Sequence, residues 1–164
     1  MESFEDNEDW YRDAGEQGWG HEAHNRHFIG VLGEMAFATY YDLQVDTETF
    51  SRTDGGVDFR VRFTERETSD ETVEVDVKCS PAENPDLIVE TESVDAEYYV
   101  QCHLPNGPPE NNKQTTVEMM GGATKEMLLN REPRKSLNYG HYNYHVAPQY
   151  LLNLPLPSEV QPIE

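Results

Sequence analysis

Apolar and polar residues alternate strictly at two places in this chain. Val57, Phe59, Val61 and Phe63 are interleaved with Asp58, Arg60 and Arg62, and Val73, Val75, Val77 and Cys79 with Glu74, Asp76 and Lys78. A period of two marks half-buried strands, and the polar stretch between them, residues 64–71, predicts a hairpin with one apolar face. Centring the turn between Glu67 and Thr68 makes paired positions add to about 135, which sets Asp58 opposite Asp76 or Val77. Asp58, Asp76 and Lys78 then share the polar face at the open end of the hairpin. Upstream, Phe28, Val31, Leu32, Met35 and Ala38 recur at steps of three and four, predicting a helix over residues 22–41 with those side chains buried. Glu34 lies on that helix, two turns after His27 and on the same face. Gly30 and Gly33 cost helix stability and predict a close approach to a sheet.

Shorter signals fill the rest. A strand is expected within 43–50, followed by the turn Thr53-Asp54-Gly55-Gly56, and further strands at 87–90, 97–104 and 116–120. Residues 105–112 read as a Pro/Gly/Asn loop. Thr124 is positioned to cap a short helix ending near Leu129, and 148–154 reads as an irregular apolar segment packing back. The expected class is α/β (α+β): a central mixed sheet with the first helix on one face and short helices on the other. All 164 residues fit one domain, led by an acidic segment over 1–19.

Composition changes this picture in two ways. Hydrophobic residues make up 36% of the chain, but its aromatic residues are spread along it, which argues against disorder throughout. No run approaches the roughly 18 apolar residues of a membrane span, and the acidic start lacks the features of a signal peptide. Two cysteines, Cys79 and Cys102, make neither a short-spaced metal pair nor a disulfide framework, so an intracellular, cytoplasmic setting is expected. The second change comes from a net charge of -20. Nucleic-acid mimicry, self-repelling disorder and adaptation to high salt compete to explain it. Four lysines against eight arginines, with acids spread along most of the chain, favour high salt; the pattern resembles proteins of haloarchaea and their viruses. Because phosphate attraction by counterion release is largely lost in molar salt, acidity does not exclude a nucleic-acid enzyme of this kind.

The shared polar face has a chemistry. Phosphodiester hydrolysis needs a nucleophilic water and charge relief on phosphate, and bound magnesium supplies both while preferring carboxylate oxygens. Asp58 and Asp76, with the backbone carbonyl of Val77, would hold the ion, manganese substituting. Lys78 would position the water or stabilise developing charge, and Glu34 would add a ligand or a supporting contact. The Gly33-Glu34 helix, the Gly55-Gly56-Val57-Asp58-Phe59 turn and the Asp76-Val77-Lys78 triplet resemble the PD-(D/E)XK phosphodiesterase core. Val57 stands where that family often has proline, and Asp76 where glutamate is common. The resemblance covers residues 26–80 well and later strands loosely; residues 117–124 and Tyr144-His145-Val146 look similar to the C-terminal part of small phage-type members. It implies a restriction-endonuclease-like core and magnesium-dependent cleavage of DNA through Asp58, Asp76, Lys78 and Glu34.

Blander readings stand beside these. Asp58, Asp76 and Lys78 also make sense as a solvated face with a surface salt bridge. A non-catalytic acidic module, mimicking nucleic acid or binding protein on a degenerate nuclease fold, is the main alternative, and an RNA-processing nuclease is a second. His27 reads as incidental, and His21, His24 and His27 have a helical spacing that suits zinc but lack further ligands nearby. Glu74 reads as solvated; His103 and His145 carry no partner signal. Between Lys113 and His145 basic residues exceed acidic ones. Lys125, Arg131, Arg134 and Lys135, with Tyr139, Tyr142 and Tyr144, suit contact with a DNA backbone and base stacking. A solvated loop with packed tyrosines is the competing reading. Cutting both strands of a duplex with one site per chain would favour a homodimer.

Overall fold

The computed structural model describes residues 19–44, 57–64, 72–107, 115–136 and 140–162, with helix side chains from Asn25 onward. Helix α1 spans Trp19–Tyr40. It ends where Asp42 takes a left-handed conformation, φ 52°. There Leu43 N–H donates to Ala38 O at 2.8 Å and Asp42 N–H to Thr39 O at 3.2 Å, the two bonds of a Schellman terminus. The hairpin forms as its alternation requires, from β1 (Phe59–Phe63) and β2 (Thr72–Ser80). Partners such as Phe59 and Val75, or Arg60 and Glu74, have numbers that add to 134, one short of the expected register.

Strands β3 (Leu87–Glu90), β4 (Tyr98–His103) and β5 (Glu118–Thr124) follow, then α2 (Lys125–Leu129). Last come β6 (Arg134–Lys135), β7 (Tyr142–Val146) and β8 (Val160–Pro162). The fold is α+β. Five strands make a mixed central sheet in the order β5-β4-β2-β1-β8, in which β2 and β4 run parallel and the other pairs antiparallel. The expectation of one sheet needs correction. β3 leaves the central sheet and joins β7 and β6 in a second, three-stranded antiparallel sheet.

Two apolar clusters lie on opposite faces of the central sheet. On one face Phe37, Ala38 and Tyr41 of α1 meet Phe59, Val61, Val75 and Val77. On the other, Leu87, Val89 and Val146 of the second sheet, with Leu128 of α2, cover Tyr99 and Ala123. Val57, expected to share a face with Phe59, packs instead against this second cluster, because strand pairing begins only at Phe59.

The buried face of α1 also differs from the one expected. Ile29, Gly33, Phe37, Ala38 and Tyr41 face inward, whereas Met35 is 46% exposed. Apolar residues run most of the way round this helix, so spacing did not select one stripe. Close approach did: a Cβ on Gly33 would lie 2.8 Å from Cys79 Cβ, inside any real contact. Gly30, by contrast, faces open space. Thr124 caps α2 as expected, accepting from Met127 N–H at 3.2 Å. Residues 45–50 of the strand expected within 43–50 and the 53–56 turn lie outside the described residues, and Leu43 and Gln44 are not in a strand.

Candidate active site

Three elements bring their polar residues to one end of the central sheet. Asp58 sits just before β1, its N–H donating to Val75 O at 2.9 Å. Val75 is also the partner of Phe59, so Asp58 lies at an irregular start to the ladder, beside Asp76. No β1 residue is paired opposite Val77 to accept its N–H. The Asp58 side chain does so instead, Val77 N–H donating to its Oδ2 at 2.8 Å. In an extended strand the N–H and C=O of one residue leave by the same edge, so the Val77 carbonyl also projects toward Asp58. The close approach at Gly33 holds the next residue, Glu34, over this end of the sheet, where its carboxyl shares a hydrogen bond with Asp58.

The result is a chain of three acids, Glu34, Asp58 and Asp76, hydrogen-bonded in that order. Burial pushes the Asp76 carboxyl up to about 7, and the hydrogen bond to Asp58 adds to it; Lys78 pulls the other way and loses. Burial likewise lifts Asp58 to about 6 and raises Glu34. Lys78 Nζ is 2.9 Å from Asp76 Oδ2, with the lysine side chain 43% exposed and the aspartate 7%. A solvated surface salt bridge does not describe this group, because Asp76 is buried. Glu74, the next polar residue along β2, pairs with Arg60 across the hairpin at 3.5 Å near solvent.

Hard oxygen donors suit a hard divalent ion. As they stand, though, the oxygens are engaged with one another, with Lys78 and with the Val77 N–H. Among the described residues no group of three or more His, Cys, Asp or Glu side chains is arranged to hold a metal ion. The donor types fit; the arrangement is that of carboxyls sharing protons.

Two further residues of β4 belong to this neighbourhood. Tyr99 pairs with Asp76 and Gln101 with Lys78 in the parallel register. Gln101 is only 2% exposed and donates from Nε2 to Cys102 O at 2.8 Å. Sequence reasoning passed over it, although a glutamine inside the otherwise apolar run Tyr98–Cys102 was the available signal.

The basic and aromatic residues of the later segment lie on α2, the turn after it and the second sheet. Lys125 starts α2 and is exposed, and Arg131 lies 5.4 Å from the Tyr150 ring centre. Arg134 pairs with Asn143 and Lys135 with Tyr142, so these two cations point to opposite faces of the second sheet. Tyr144 is half-buried and packs against the second cluster, whereas Tyr142 is exposed. Lys113 and Tyr139 lie outside the described residues, as do the side chains of His21 and His24; His27 is exposed. His103 and His145 do have acidic neighbours, Glu118 at 3.3 Å and Asp86 at 3.7 Å.

Comparison with protein-family models, with curated proteins and with solved structures finds no match to this chain. Among the described residues no helix is long and apolar enough to cross a membrane.

Proposed function

We propose that this protein is a divalent-metal-dependent phosphodiesterase that cleaves DNA, built on a restriction-endonuclease-like core. The observation that carries the reading is the meeting of buried Asp76 with half-buried Glu34 and Asp58 and one lysine, supplied by a helix and the hairpin. A group of like charges taken out of water is costly to keep without a use, and strongly raised carboxyl pKa values cluster at sites that do chemistry. Asp58, Asp76 and Glu34, with the Val77 carbonyl, would hold magnesium or manganese, which when bound supplies an activated water and charge relief on the phosphate. Lys78, half in solvent at the rim, can approach a phosphate while its neighbour Asp76 stays buried, and its ammonium offsets negative charge developing there. Asp58 bonds the Val77 backbone through one oxygen, which fixes its carboxylate without a flexible linker.

A non-catalytic acidic module draws on the net charge alone and leaves the burial of Asp76 without a role. The test is incubation of the chain with magnesium or manganese, in molar potassium chloride, on duplex, single-stranded and branched DNA and on RNA. Cleavage of a DNA substrate that stops with chelator supports the proposal. Cleavage of RNA alone would transfer the site to an RNA-processing role, and no cleavage of any substrate would favour the acidic module.

A further inference from the structure

The polar face of β1 continues past the carboxylates. Arg60 and Arg62 alternate with Phe59, Val61 and Phe63, and Arg60 pairs with Glu74, so both arginines stand on the Glu74 and Asp76 side of the sheet, away from α1. The second sheet covers the Tyr99 and Ala123 region, nearer the other edge, while Arg60, Thr72 and Gln161 around Arg62 are all exposed.

The two cations differ in what they have. Arg60 holds Glu74 in an exposed pair at 3.5 Å, a weak contact that leaves it free to turn to another anion. Arg62 has less: its Nε is buried and has no hydrogen-bond partner. A guanidinium N–H removed from water and left unsatisfied is unfavourable unless an acceptor arrives. In a chain of net charge -20, two of its eight arginines stand side by side on one strand leading to the acidic site.

We propose that Arg60 and Arg62 form a track that holds the phosphodiester backbone of one nucleic-acid strand as it leads to Asp58 and Asp76. This rests on the phosphodiesterase reading of that site. The guanidinium fork matches phosphate oxygens in bidentate fashion, so the contact survives where bulk screening removes longer-range attraction. At about 3.3 Å per residue, Arg62 stands roughly 13 Å from Asp58 along the strand. Consecutive phosphates of one strand lie roughly 6–7 Å apart, so that distance spans about two of them. The substrate class is therefore a polynucleotide extending at least two phosphates to one side of the cut, and not a phosphate monoester.

Binding of a fluorescent single-stranded oligonucleotide, read by anisotropy in chelator so that nothing is cleaved, tests this across a potassium chloride titration. Arg62→Gln is expected to weaken affinity by roughly three- to tenfold and to reduce the salt slope by about one; Arg62→Lys restores the slope but not the full affinity. Arg60→Gln, an exposed change that does not threaten folding, shifts affinity the same way by less. If wild type cleaves and both glutamine variants bind with unchanged affinity and slope, the track is wrong and the carboxylate site stands. If wild type neither binds nor cleaves, both readings are overturned together.

Discussion

Asp76→Asn is expected to make the metal-free protein more stable at alkaline pH while removing its activity. The Asp76 carboxyl, raised from an ordinary 3.8 to about 7, binds its proton more tightly in the folded chain than in the unfolded one. Such a group costs little below about pH 4, where both states are protonated; the cost grows as pH rises from there to the folded value and is complete above it. At 1.36 kcal/mol per unit, a shift of about three units sets an upper bound of about 4 kcal/mol. Two effects reduce the gain from asparagine. Lys78 loses its partner at 2.9 Å, worth about 0–1 kcal/mol for a lysine that is 43% exposed. The three acids also titrate as a coupled set, so part of the cost passes to Asp58 and Glu34. An asparagine amide can donate to Asp58 as the protonated acid does. The net expectation is a gain of about 1–3 kcal/mol near pH 8, which raises Tm by about 2–4 °C per kcal/mol for a chain of this size. Near pH 4 the gain should vanish. Thermal unfolding followed by circular dichroism, in chelator and constant potassium chloride at the two pH values, measures it. An asparagine variant less stable than wild type near pH 8, or equally shifted at both pH values, would refute the reasoning from burial.

The same carboxyls set a pH dependence of activity: the rate should rise with pH through an apparent value near 7 and level off above it, as Asp58 and Asp76 lose their protons. A rate profile flat from about pH 5 to 8 would count against their role as metal ligands. Gly33→Ala should destabilise the fold by about 1–3 kcal/mol through its contact with Cys79, whereas Gly30→Ala, facing open space, should stabilise it by about 0.5–1 kcal/mol. Urea titrations of the two variants separate these opposite signs. Thr124→Ala removes the acceptor for Met127 N–H and should cost about 1 kcal/mol in the same assay.

The hairpin was legible because its alternation leaves one way to bury valines and phenylalanines, and that same constraint put Asp58 opposite Asp76 within one position of the observed register. The cap at Thr124 was legible for a local reason, since a side-chain oxygen one residue before a helix has few other uses. The second sheet was not. β6 is two residues long and β7, from Tyr142 to Val146, mixes polar and aromatic residues with little alternation, so their pairing depends on Leu87 and Val89 from far earlier in the chain. β8 was missed for a similar reason: Val160–Pro162 is short and holds a proline, which an edge strand tolerates. For the candidate site, spacing supplied Asp58, Asp76 and Lys78 but not the burial that raises the pKa values of the two aspartates. Gln101 and Arg62 became visible only once the strands were laid side by side.

The central claim is that Asp76 and Lys78 act together in cutting phosphodiester bonds, and cleavage by matched variants tests it most directly. Wild type, Asp76→Ala and Lys78→Ala, each shown to be folded, are compared on the best DNA substrate with manganese in molar potassium chloride. The account predicts cleavage by wild type that chelator abolishes, and rates at least about a hundredfold lower for both variants. Variants that cut as fast as wild type, or a wild type that does not cut at all, would contradict it.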